Sequence, residues 1–362
     1  MVVDDSAVVR GLIAKWLGDD PAVEVVATAS NGEMALKNLA AADPEIVVLD
    51  IEMPVMDGLT ALPKILEHSS EIQVLMSSTL TKRNAEISMR ALSMGAADYV
   101  SKPESTREVT TSLSFQQELV GKVVNLAAAR RLQKGGKVYK AGKSSSLNED
   151  ILPQVSSRGA IAKRKMSSTL PRIIGVGSST GGPQALLKFL NSVKDELRLP
   201  ILITQHMPPA FTNILAEHLA RASGLPCKQA EDGDVIHTGH VYVAPGDYHM
   251  IVVNEGGKKI IRLNQDPPVN FCRPAVDPLF ASLAGTFGSA VLGVILTGMG
   301  HDGLKGSQDI VDAGGTIIAQ DEATSIVWGM PGAVSQAGLC SAVLPLDDIG
   351  AKVIDITTGE AL

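Results

Sequence analysis

Short β-branched apolar runs alternate with amphipathic stretches twice along this chain, on either side of an aperiodic basic segment. Within the first 103 residues "MVV", "VEVVATA", "EIVVLD", "IQVLMS" and "DYVSK" have the length and composition of strands. "AVVRGLIAKWLGD" and "GEMALKNLAA" space their apolar residues as helices do. Strand then helix, repeated, predicts a parallel sheet covered on both faces. From Pro171 the alternation resumes, with "PRIIGVG", "LPILITQ", "HVYVAP", "SAVLGVILT" and "GGTIIAQ" as strands and "PQALLKFLNSV", "AFTNILAEHLARA" and "PGAVSQAG" as helices. The expected fold class is α/β twice over: a doubly wound parallel sheet, then a second α/β domain with a mostly parallel sheet. The first domain is expected over residues 1–105, with a helical pattern able to continue to about 133. A Gly/Ser/Lys-rich linker is expected over 106–169, and the second domain over 170–362.

Composition narrows the function classes. At 362 residues and 45% hydrophobic, the chain is long and apolar enough for two cores. A formal charge of −7 and only 3% aromatics leave neither a basic surface nor stacking platforms for nucleic acid. Cys227, Cys272 and Cys340 are widely spaced with no C-x-x-C pair, and read as inert thiols in a reducing compartment. "MVVDDSAVVR" is too short and too acidic for a signal peptide, and no apolar run reaches a membrane span. The expectation is a cytoplasmic protein that is not integral to a membrane.

Chemistry-bearing residues fall where strands end. Asp4 and Asp5 follow the first apolar run and Asp50 closes the third, so three carboxylates converge on one rim of a parallel sheet. Such a set favours a hard divalent cation, Mg²⁺ above all. Ser78 and Lys102 close two further strands on the same rim. Together these are the parts needed to stabilise an acyl phosphate on an aspartate. "VVDDS", "LDIEMPVMDGL", "SST" and "YVSKP", in this order and spacing over residues 1–103, resemble a two-component receiver domain. The resemblance implies a flavodoxin-like sheet with Asp50 as phosphoacceptor, and Mg²⁺ held by Asp4, Asp5, Asp50 and the backbone carbonyl of Glu52. It also implies Ser78 and Tyr99 as switch residues and Lys102 as the phosphate's counter-ion. Only three residues precede the carboxylate pair, so the first strand is expected to be very short.

In the second half "GVGSSTGGPQ" is a glycine-rich turn between a strand and a helix. It misses the dinucleotide fingerprint by one residue, and the next strand ends in "ITQHM" rather than in an acid. It lacks the lysine of a phosphate-binding Walker loop. It does fit G-x-S-x-G, a nucleophile turn, with Ser179 central and Ser178 left as a turn residue. His206 directly follows the strand "LPILITQ" and Asp302 follows "SAVLGVILTGMG", so serine, histidine and aspartate come from three strand ends. Backbone amides at Thr180 and Met299 are candidate oxyanion donors. His301 is a rival base. His237, His240 and His249 cluster in a turn-rich region without the further ligands a metal site needs.

"GSSTGGPQAL", "ITQHMPPAFT", "AEDGD", "GHVYVAPGDYHM" and "VILTGMGHDG" resemble the catalytic domain of the chemotaxis protein-glutamate methylesterase family (CheB), from about Pro171 to the end. The resemblance implies Ser179, His206 and Asp302 as the catalytic triad, with no cofactor in the ester-hydrolysing step. Its implied substrates are methyl-esterified glutamates, and glutamines for deamidation, on the cytoplasmic helices of methyl-accepting chemoreceptors. A chemosensory histidine kinase is the implied phosphodonor partner, and phosphorylation is expected to release the catalytic rim from the receiver. Two rival classes are a phosphorylation-dependent binding module without turnover and a nucleotide-binding output domain.

Overall fold

The computed structural model describes residues 1–79, 81–103, 109, 112–133 and 164–360. Residues 134–163, the centre of the expected linker, lie outside the described residues. The chain parts into two compact units.

The N-terminal sheet comprises β1 (Val2–Val3), β2 (Thr28–Ala29), β3 (Ile46–Asp50), β4 (Gln73–Thr79) and β5 (Asp98–Lys102). Their order is β2-β1-β3-β4-β5, a doubly wound arrangement. Helices α1 (Ala7–Gly18), α2 (Gly32–Ala42), α3 (Gly58–His68) and α4 (Lys82–Ser93) connect the strands, and α5 (Leu113–Gln133) follows β5. Each connecting helix starts on a short polar residue. The side chains of Ser6, Asn31, Asp57 and Thr81 accept a hydrogen bond from a backbone N–H three residues on, which satisfies an otherwise unpaired helical donor.

The expected strand "VEVVATA" shrinks to the two residues of β2. Its sheet neighbour β1 is itself two residues long, so only Val2↔Thr28 and Val3↔Ala29 can pair. β-propensity without a partner strand does not make a strand.

The C-terminal unit is built on a seven-stranded sheet ordered β14-β13-β12-β6-β7-β9-β8. The strands are β6 (Ile173–Ser178), β7 (Ile201–Gln205), β8 (Cys227–Gln229), β9 (Val241–Val243), β12 (Val291–Ile295), β13 (Thr316–Gln320) and β14 (Ala342–Leu344). Neighbouring strands pair in parallel throughout. Every residue of β6, β7, β12 and β13 is buried, as expected of parallel strands covered by helices on both faces. Helices α6 (Gly182–Val193), α7 (Pro209–Ser223), α8 (Val276–Phe287), α9 (Leu304–Asp312), α10 (Met330–Gln336) and α11 (Leu346–Thr358) surround it. On α6, Leu186, Phe189, Leu190 and Val193 are buried at i, i+3, i+4 and i+7, one continuous apolar stripe.

Two features of this unit also differ from the sequence reading. The region after "HVYVAP" forms an antiparallel hairpin, β10 (His249–Glu255) and β11 (Lys258–Asn264), rather than turns alone. Ser178, expected as a turn residue, is the last residue of β6 and fully buried.

Strand order reverses between β6 and β12: the chain moves outward from β6 through β7 on one side, and from β12 through β13 and β14 on the other. The crevice beyond the carboxyl ends of such strands is where open α/β sheets hold their ligands.

Candidate functional site

Ser179, His206 and Asp302 follow the carboxyl ends of β6, β7 and β12, the two strands that flank this reversal and the neighbour of one of them. Ser178 and Gln205 are register partners on β6 and β7, so Ser179 and His206 are the next residues of adjacent strands. The buried pair beneath them locks that alignment. The Ser178 hydroxyl donates to Gln205 Oε1 at 2.7 Å. Gln205 Nε2 donates to the Ser179 carbonyl at 2.9 Å and to the His206 carbonyl at 3.1 Å. Backbone bonds complete the frame: the Ser179 N–H donates to Thr297 O, and the His206 N–H to Ser178 O. The turn carrying Ser179 enters α6 through Gly181, at φ 76°, a left-handed conformation that glycine adopts without a Cβ clash.

His206 Nε2 lies 2.7 Å from Asp302 Oδ2. Asp302 is buried at the N-terminus of α8 and takes further donors there: Val276 N at 2.6 Å, Asp277 N at 3.2 Å and Asn270 Nδ2 at 3.1 Å. The helix end therefore helps to hold the carboxylate ionised. Burial alone would raise the Asp302 carboxyl, but the hydrogen bond and charge of His206, with these amides, outweigh it and hold it below the usual range. Burial likewise disfavours the charged imidazole, yet Asp302, aided by Cys272, outweighs burial and holds His206 above its ordinary value.

The other ring nitrogen, Nδ1, faces Cys272 Sγ at 3.4 Å. Neither Cys272 nor Asn270 was singled out as part of the site by the sequence reading. Asn270 Nδ2 bridges Asp302 to a second buried carboxylate, Asp277, at 3.1 Å. Burial first, and then the charge of Asp302, hold the Asp277 carboxyl above the usual range. The loop containing Asn270 and Cys272 is some thirty residues before Asp302 in the chain and carries no periodic pattern that could have announced it.

Of the two candidate oxyanion positions, Met299 lies beside Gly298, whose backbone runs against Ser179. A Cβ on Gly298 would come 3.0 Å from Ser179 Cβ and would clash with Met330 Sδ. Thr180 is buried and its carbonyl accepts the Thr297 hydroxyl at 2.9 Å. His301, the rival base, is partly exposed beside Gly300.

On the rim of the N-terminal sheet, the carboxylates of Asp4, Asp5 and Asp50 have one oxygen each within 4.8 Å of the others. Lys102 Nζ contacts Asp50 Oδ1 at 2.7 Å and Asp4 Oδ2 at 3.1 Å. Burial raises the Asp50 carboxyl to about 6 even against the pull of Lys102, with Asp4 adding to the rise. Burial disfavours the Lys102 ammonium, but Asp50 and Asp4 outweigh it and its affinity for the proton is raised. The donor set suits a hard dication, because one lysine leaves three clustered carboxylates incompletely neutralised. Ser78 is buried and its hydroxyl shares a hydrogen bond with that of Ser88 at 3.1 Å. Tyr99 is buried with its N–H on Asp98 Oδ1. Glu52 is exposed on the β3–α3 loop.

Comparison with known proteins finds relatives for both halves of the chain. Residues 174–353 match the CheB methylesterase family, and residues 1–114 match the response regulator receiver domain. The chain is 52% identical over 362 residues to a protein-glutamate methylesterase/protein-glutamine glutaminase 1 of Rhodospirillum rubrum, covering 98% of this chain and 94% of that one. It is also 52% identical over 358 residues to a protein-glutamate methylesterase/protein-glutamine glutaminase of Azospirillum brasilense, covering 97% and 90%. Among solved structures, the catalytic domain of Thermotoga maritima CheB methylesterase aligns with a TM-score of 0.51 and 41% identity, over 52% of this chain and 100% of that domain. No helix among the described residues is long and apolar enough to cross a membrane.

Proposed function

From the premise that the chain belongs to the protein-glutamate methylesterase/protein-glutamine glutaminase family and carries a response-regulator receiver domain, we propose that it hydrolyses glutamate methyl esters, and deamidates glutamines, on chemoreceptor helices through Ser179, His206 and Asp302. Phosphorylation of Asp50 by a chemosensory histidine kinase raises that activity. The observation that carries the reading is the 2.7 Å bond from His206 to a helix-capped Asp302, with Ser179 on the adjoining strand end.

The chemistry follows from the bonds each group makes. Asp302 takes His206 Nε2–H, which leaves the Nδ1 lone pair as the base. Ser179 Oγ attacks the γ-carbonyl carbon of the ester as its proton passes to Nδ1; the Cys272 thiol that faces Nδ1 gives way as the serine engages. The C–O π electrons move onto the carbonyl oxygen, which the amides of Thr180 and Met299 receive. Collapse of the tetrahedral intermediate breaks the bond to the methoxy oxygen, the imidazolium returns its proton there, and methanol leaves. Water then attacks the acyl-serine by the same route and frees the glutamate. With a glutamine side chain the departing group is ammonia.

Asp4, Asp5 and Asp50, with the Glu52 carbonyl, would hold Mg²⁺. The ion supplies charge neutralisation for a phosphoryl group on Asp50. Lys102 pairs with that group, and the hydroxyl of Ser78 with the ring of Tyr99 reports its presence. The test is methanol release from methylated receptor with and without a small-molecule phosphodonor. Wild type is expected to be stimulated, while Asp50→Asn keeps its basal rate and loses the stimulation. An Asp50→Asn protein stimulated as wild type is would overturn phosphorylation control at that residue.

A further inference from the structure

Val269 and Cys272 bond to each other in both directions, Val269 N to Cys272 O at 3.0 Å and Cys272 N to Val269 O at 2.9 Å. They close a two-residue hairpin turn whose central residues, Asn270 and Phe271, sit at φ 52° and 64°. Turns with positive φ at both central positions favour asparagine followed by glycine. Asparagine is in place at the first. At the second stands a phenylalanine, whose Cβ makes the left-handed conformation unfavourable. The residue is 91% exposed, against 39% for Tyr248. Leaving such a ring in water forgoes the stabilisation its burial would give.

The turn is nonetheless held firmly, and its anchors are the catalytic groups. Asn270 Nδ2 donates to both Asp302 Oδ1 and Asp277 Oδ2. Cys272 Sγ meets His206 Nδ1. Downstream, Arg273 ties the chain to Asp247 and to the carbonyls of Gln265 and Asp266. The backbone of Phe271 is thus set at a fixed place between two residues that touch the triad, while its ring stands almost wholly exposed.

We propose that Phe271 is a specificity-determining residue: its ring receives an apolar side chain of the polypeptide that flanks the esterified or amidated glutamyl residue. This rests on the function proposed above. A helical substrate presents side chains three and four positions away within about 5–6 Å of the reacting one, and in a bundle helix several of these are apolar. A rigidly placed exposed aromatic is the kind of group that dominates protein–protein contacts. A small ester offers it nothing to hold. The ring therefore separates polypeptide substrates from free esters, and it does so through binding.

The test compares wild type, Phe271→Ala, Phe271→Gly and Phe271→Leu on two substrates, a methylated receptor cytoplasmic fragment and N-acetylglutamate γ-methyl ester. Glycine suits the left-handed position, so Phe271→Gly removes the ring without stressing the turn. The ratio of kcat/KM on the receptor to that on the small ester is expected to fall at least fivefold in the alanine and glycine variants, through KM. Leucine should restore most of it. A ratio within twofold of wild type in both small variants overturns the proposal. So does a proportional loss on both substrates, which would mean that the residue acts only by supporting the triad. A wild-type protein that hydrolyses the small ester but releases no methanol from the receptor removes the substrate reading, and this proposal with it; an unchanged ratio beside an active wild type removes this proposal alone.

Discussion

The two sheets bring their carboxylates to equivalent places, beyond the ends of parallel strands, and then treat them in opposite ways. On the N-terminal rim, Asp50 is buried beside Asp4 with one lysine between them, and its carboxyl rises to about 6. On the C-terminal rim, Asp302 is buried at least as deeply but is held below the usual range, because it meets an imidazole and the amides of a helix N-terminus. Burial works against the charge at both. The donors that surround each carboxylate decide in which direction its affinity for the proton moves.

The sharpest way to break this contrast is at the proposed nucleophile. Ser179→Ala is expected to lower methanol release by on the order of 10⁶-fold, read under saturating phosphodonor so that the state of the receiver is constant. Asp302→Asn comes next, with a loss on the order of 10⁴-fold. With its oxygen kept on His206 Nε2 and Val276 N, the amide turns its NH2 toward Asp277 N and Asn270 Nδ2, which are donors themselves. If Asp302→Asn were as active as wild type, the helix-capped carboxylate would be structural only.

Stability against pH tests the other rim. The carboxyl of Asp50 rises from its ordinary 3.8 to about 6 in the folded protein. The sign follows: the folded form binds this proton more tightly than the unfolded chain does. The associated stability is complete below pH 3.8 and is lost as pH rises through about 6, a difference of about 3 kcal/mol. Without divalent cations, Asp50→Asn is expected to flatten that decline in denaturant titrations of the receiver transition, and millimolar Mg²⁺ to reduce it in wild type. A decline that persists unchanged in the variant would assign it to another group.

The smallest expected effect concerns Cys272. Its contact with Nδ1 helps to raise His206 above the ordinary 6.5, and the base acts only when neutral. Cys272→Ala should therefore move the acid limb of the kcat/KM profile to lower pH, by less than one unit, while the plateau stays within a few-fold. A limb that moves upward would show that the thiol does not support the charged ring.

Much of both rims was legible without coordinates. Asp4, Asp50, Ser179, His206 and Asp302 each follow an apolar run, and in a parallel sheet that is enough to bring them to one edge. The hairpin of β10 and β11 was less visible because only one of its faces is deeply buried, and its tip, Glu255, Gly256, Gly257 and Lys258, reads like a loop. Gln205 beneath the serine and Asn270 across two carboxylates escaped notice because a lone amide in a chain carries no sign of what it will face.

Local order along the chain determined the strands, the helices and the residues that close them, since each depends on neighbours a few positions away. Only tertiary packing decided that the first turn of α8 would neutralise Asp302, that a distant turn would hold both Asp302 and His206, and that Phe271 would be left in water. Those outcomes depend on groups far apart in the chain competing for the same few hydrogen-bonding positions, and the competition is settled only when the helices close over the sheet.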